Sequence, residues 1–144
     1  MEYIPMTTEQ FIMEESPDEQ YYFYRPAVPL QIFHSMVEPD EDSENCCIEV
    51  SVRYDLQQML PIINRYLEWL ASCEAEVTAY FQERLGEEVP EGWFDTIEVF
   101  SVFMVFDDLD DYGATIEFAE SILCDHTIEF DLEEYEIVDD RLNG

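Results

Sequence analysis

Two rhythms run through the apolar positions of this chain. Between residues 46 and 55 the run CCIEVSVRYD alternates, with Cys46, Ile48, Val50 and Val52 on one side and Cys47, Glu49, Ser51 and Arg53 on the other. Period two with β-branched residues predicts a strand, because successive side chains of an extended backbone point to opposite faces. Further on, Ile63, Tyr66, Leu67, Leu70, Cys73, Val77, Tyr80, Phe81 and Leu85 recur at helical spacing. One apolar stripe of this kind predicts a single long helix, from Asp55 or Pro61 to Leu85. Pro61 suits its first turn, where a missing N–H costs nothing, and Gly86 followed by Pro90 supplies the stop.

The second half returns to the strand rhythm. TIEVFSVFMVF at 96–106 is apolar on both alternating faces after Glu98, which predicts a central strand covered on both sides or deeply buried in the sheet. DDLDDYG then reads as a turn, and ATIEF and HTIEFDLE each set apolar residues against acids: Ile116 and Phe118 against Glu117, then Ile128, Phe130 and Leu132 against Glu129, Asp131 and Glu133. For the tail EIVDDRLNG a strand is favoured over a helix across 131–142. Ile137 and Val138 prefer extended backbone, and Asp139 and Asp140 in a last helical turn would face the negative end of the dipole. Before residue 45 the burst YYFY and the segment VPLQIFHSMV predict two strands or extended segments, which Pro17, Pro26, Pro29 and Pro39 should keep short or at sheet edges. EPDEDSEN at 38–45 reads as a solvated loop. The fold class predicted is α+β: one domain over 1–144, an antiparallel sheet of about five to seven strands packed on one long helix.

Charge changes the picture most. The 144 residues hold 36 acids and only 5 basic residues, for a net charge of −31. The basic residues are Arg25, Arg53, Arg65, Arg84 and Arg141. In a less apolar chain that excess would favour disorder, but 47% hydrophobic and 15% aromatic content supply a core. Direct nucleic-acid binding is excluded as an expectation, since phosphate affinity rests on Lys and Arg. A basic protein is the natural complement, and solubility or a salt-rich cytoplasm is the alternative reading of the same charge. The acid-bearing start lacks a basic n-region, and the apolar run VFSVFMVF is far below the ~20 residues that span a bilayer, so a cytoplasmic protein without membrane contact is expected.

Candidate chemistry is sparse. Cys124, Asp125 and His126 stand side by side, the residue types of a thiol activated by histidine and oriented by a carboxylate. On an extended segment, however, Cys124 and His126 share a side while Asp125 points away, and triad members usually meet from separate elements. The triplet therefore reads first as a joint before a strand and second as an enzyme site. The oxygen-rich DDLDDYG invites a calcium reading, but a loop beginning at Asp108 would put Ala119 where the closing Glu should stand. Cys46, Cys47, Cys73 and Cys124 form no CxxC pair and read as reduced, buried thiols. His34, among apolar neighbours, reads as partly buried. No cofactor and no metal site is expected. The candidate binding face is the acidic side of the last strands, Glu117, Glu129, Asp131 and Glu133, which outward alternation places together.

GWFDTIEVFSVFMVF, YGATIEF, DHTIEF and the terminal RLNG, with Gly113, His126 and Gly144, resemble the end of an uncharacterised family of small bacterial cytosolic proteins, whose members look like immunity proteins of toxin systems. Asp125 departs from that pattern, standing where a glycine would precede the histidine. The resemblance implies an α+β domain without established catalytic residues, acting as neutraliser of a toxin. A basic, nuclease-like toxin would suit so acidic a surface, because opposite charges raise encounter rates.

Overall fold

The computed structural model describes residues 4–39, 45–120 and 127–143, the side chains of residues 142 and 143 excepted. Among these residues nine strands and two α-helices follow in the order β1 (Phe11–Glu14), β2 (Tyr21–Pro26), β3 (Leu30–Ile32), β4 (Ser35–Val37), β5 (Cys46–Ser51), α1 (Leu56–Leu70), α2 (Glu74–Leu85), β6 (Glu98–Asp108), β7 (Asp111–Ala119), β8 (Thr127–Glu133) and β9 (Glu136–Asn143). Seven strands form one sheet in the order β1-β2-β5-β6-β7-β8-β9, and β3 and β4 form a separate hairpin.

Two expectations about architecture are overturned. The sheet is mixed, because β5 and β6 run parallel. Parallel neighbours need a crossover, and the segment between them carries both helices back across one face. The single long helix is also absent: the stripe continues in register, but the backbone breaks at residues 71–73. Ser72 folds its hydroxyl onto the Glu68 carbonyl at 2.9 Å, and the Leu70 carbonyl is taken from outside by the Phe33 amide at 2.8 Å. A carbonyl satisfied by another part of the chain no longer needs a next helical turn. The dominant element is therefore sheet, with two short helices laid on it.

Helix α1 starts at Asp55 rather than at proline. Asp55 accepts from the Gln58 amide at 2.7 Å while Gln58 Oε1 accepts from the Asp55 amide at 3.0 Å, a reciprocal cap that satisfies two end donors. Pro61 consequently lies inside the helix. Met59, Ile63, Tyr66, Leu67 and Leu70 are its buried face, and α2 adds Val77 and Phe81. Gly86, left-handed at φ +75°, ends α2.

The core lies between these helices and one side of the sheet. Register puts Ile48, Met104, Ala114, Leu132 and Ile137 in one cross-strand row. A second row holds Cys46, Val102, Ile116 and Phe130. All of these are buried. The β3–β4 hairpin closes the same side. Its turn residue Phe33 adopts φ 56°, a conformation that a bulky side chain holds only under constraint. Here the constraint is its ring, edge-on to Phe118 at 5.8 Å, together with its amide bond to Leu70. The neighbouring His34 is exposed, not partly buried as its apolar context predicts, because the two-residue turn points it away from the core.

Strand β6 supplies a further correction. Val102, Met104 and Phe106 are fully buried, but on the opposite face Phe103 is 37% exposed. Both helices and the hairpin pack on one side, so the other face of the sheet has no covering element among the described residues. The antiparallel meander β6-β7-β8-β9 and the terminal strand agree with the sequence.

Candidate protein interaction face

The uncovered face can be read strand by strand from the register. One row runs Glu49, Val105, Gly113, Glu133 and Glu136 across β5 to β9. The next runs Cys47, Phe103, Thr115, Asp131 and Asp139, and a third holds Ser101, Glu117, Glu129 and Arg141. The four acids expected to share a face, Glu117, Glu129, Asp131 and Glu133, do lie on this one. An alternating strand whose apolar side enters the core must put these residues outward.

The face is more structured than a row of solvated acids. Arg141 of β9 reaches across to β8: Nη2 binds Glu129 Oε1, and Nη1 lies 2.5 Å from Asp131 Oδ2. Thr115 Oγ1 donates to Asp131 Oδ1 at 3.1 Å. Hydrogen bonds to Asp131 first and Glu129 second push the guanidinium pKa still higher, so Arg141 stays charged. Two of the four acids are thereby partly neutralised from within the chain, while Glu133 is exposed and close in register to Glu136.

A groove of about 850 Å³ opens on this face. Phe103 and Val105 form one side, and Asp131, Glu133, Glu136 and Asp139 the other. Sequence reading missed its apolar side, because Phe103 and Val105 look like core in a strand that is apolar on both faces. It also missed Val138. A register irregularity beside Leu132 makes Val138 an extra residue in β9, 45% exposed and lining the groove. Signals for the open face were present in the small or charged outward partners of β6, namely Glu49, Gly113 and Thr115.

At the far end of β6 a second polar cluster ties strands together. Tyr21 donates to Asp107 and Tyr54 to Asp108, while Arg53 Nη1 lies 3.6 Å from Asp108. Near α2, Tyr80 donates to Asp140 at 2.7 Å and Arg84 pairs with the same carboxylate at 2.8 Å. The Asp107 bond pushes the Tyr21 phenol up to about 12, and burial followed by the Asp140 bond does the same for Tyr80. Burial raises Tyr66 and Tyr112 as well. Because their folded values lie above the ordinary 10.0, the Tyr21 and Tyr80 phenols contribute stability that is whole below about pH 10 and is lost as pH rises toward about 12. Alkaline titration followed by phenolate absorbance should show a late group of tyrosines ionising together with loss of circular dichroism. Nine independent titrations near pH 10 in a protein that stays folded would contradict these contacts.

Cys124, Asp125 and His126 lie outside the described residues. Cys46, Cys47 and Cys73 are buried free thiols, pushed up to about 12 chiefly by burial, and are therefore poor nucleophiles near neutrality. Among the described residues no group of three or more His, Cys, Asp or Glu side chains is placed to hold a metal ion. No helix among them is long and apolar enough to cross a membrane. No protein-family model, curated protein or solved structure matches this chain.

Proposed function

We propose that this chain is a noncatalytic binding protein that takes a basic protein partner on the open face of its sheet. The observation that carries the reading is the uncovered β5–β9 face, where an exposed apolar strip on β6 lies beside a bank of carboxylates on β8 and β9. Apolar surface beside one sign of charge is what a protein partner of the opposite charge can desolvate and pair with. A basic, nuclease-like toxin is the partner class that the resemblance implies, which would make the chain an immunity protein. A cytosolic location belongs to the same reading, and reduced thiols such as Cys46, Cys47 and Cys73 are the rule there.

Arg141 makes the test two-sided. Replacing Glu129, Asp131 and Glu133 by Gln, Asn and Gln raises the charge of the face by three units, whereas Arg141→Gln lowers it by one. With a basic toxin encoded beside this chain, the association rate at low salt should fall for the triple variant and rise for Arg141→Gln. Both should converge on the wild type as salt increases from roughly 0.05 to 0.3 M and screening shortens the reach of each charge. Stopped-flow association with a circular dichroism check of folding measures this. A tightly bound partner whose rate and affinity ignore salt, the triple variant and Arg141→Gln alike sinks the proposal, leaving the acids a role in solubility and in keeping exposed strands from pairing with other chains.

A further inference from the structure

Resting on the basic-partner reading, we infer that the groove is selective for arginine: it takes an arginine side chain of the partner between the apolar strip of β6 and the carboxylates of β8 and β9. The middle strand makes the space. Gly113 stands between Val105 and Glu133 in register, and Thr115 between Phe103 and Asp131. A glycine and a threonine leave a trough where larger side chains would fill it. Neighbouring strands are spaced about 4.8 Å apart, so the flanking strands stand roughly 10 Å apart, room for one extended side chain between two walls. The 850 Å³ of the groove accommodates that side chain and its neighbours.

The two walls differ in a way that matches guanidinium better than ammonium. Phe103 presents a ring that is 37% exposed, and Val105 beside it extends the apolar surface of β6. Opposite them stand Asp131, Glu133 and Asp139. A guanidinium is planar, weakly hydrated and able to stack on a ring while donating to two carboxylates at once. An ammonium is a compact, strongly hydrated charge that gives up water reluctantly against an apolar wall. The chain itself supplies an instance of such pairing, since Arg141 already bridges Glu129 and Asp131 at one end of the same carboxylate bank. Glu133, about 7 Å along β8 from Asp131, and its cross-strand partner Glu136 on β9 form a second pair of carboxylates, with no arginine bonded to them among the described residues.

Two short extended peptides of equal length and charge, one carrying arginines at alternate positions and one carrying lysines, provide the test. Binding to the whole protein is read by fluorescence anisotropy at about 0.15 M salt, where distant charges are screened. The arginine peptide should bind roughly fivefold tighter than its lysine twin. Phe103→Ala and Glu133→Gln, both at exposed positions, should each weaken the arginine peptide, and Phe103→Ala should remove its advantage. Equal affinities of the two peptides for the wild type, or an arginine preference that survives Phe103→Ala, would overturn the inference. Loss of the arginine preference while Arg141→Gln and the triple variant still shift the toxin's association rate would remove only the arginine trough. Failure of those rate effects as well would remove the basic-partner reading on which it rests.

Discussion

Trp93→Ala is expected to lower stability by about 4 kcal/mol, measured as the shift in urea midpoint at unchanged slope. Trp93 is 1% exposed and stacks on Phe81 of α2 with ring centroids 4.6 Å apart. Its Nε1 also donates to Glu120 Oε2 at 3.0 Å, and Glu120 is itself only 3% exposed. Truncation therefore opens a cavity between α2 and the sheet and withdraws a donor from a buried carboxylate, two separate costs. Trp93→Phe separates them. It keeps most of the stacking and loses the donor, so it should cost about 1–3 kcal/mol, less than the alanine variant but clearly more than zero. A phenylalanine variant as stable as the wild type would show that the indole bond to Glu120 carries no weight.

Gly113→Ala should be nearly as damaging, at about 3 kcal/mol, although it adds a single methyl. A Cβ at this position would sit 2.4 Å from the Leu132 carbonyl oxygen, a backbone atom of the adjacent strand that cannot rotate aside. The pairing of β7 with β8 must open to admit it, and that pairing also carries the trough of the outer face. Gly86→Ala is the control. That glycine holds a positive φ of +75°, but a Cβ there meets nothing within 4 Å, so only backbone strain of about 1 kcal/mol is expected. Thermal denaturation of the two variants should therefore rank Gly113→Ala well below Gly86→Ala. The reverse order would mean that β7 and β8 can separate cheaply.

Much of the secondary structure was legible because it depends on local repetition. The alternation of ATIEF and HTIEFDLE gave β7 and β8, and it put Glu117, Glu129, Asp131 and Glu133 on the outer face, where they lie. Ile137 and Val138 gave the terminal strand. The helical stripe from Ile63 to Phe81 was read correctly as one face, yet the helix count was wrong. What ends α1 is the amide of Phe33, nearly forty residues away in sequence and invisible to any local window. Arg141 was seen only as one of five basic residues. Its role follows from register with Glu129, which exists only once β8 and β9 pair.

By itself the sequence determined a folded rather than disordered acidic chain, the periodicity of its elements and the side of each strand that carries acid. These depend on composition and on the two-residue and 3.6-residue repeats of the backbone. Only the tertiary structure decided that β5 and β6 run parallel, that the helical stripe breaks in two, and that Phe103 and Val105 face an open groove instead of a second layer. Each of those outcomes turns on which distant segment packs against which face. A strand apolar on both sides states that either side could be buried, and the placement of both helices and the hairpin on one side settles which of them is.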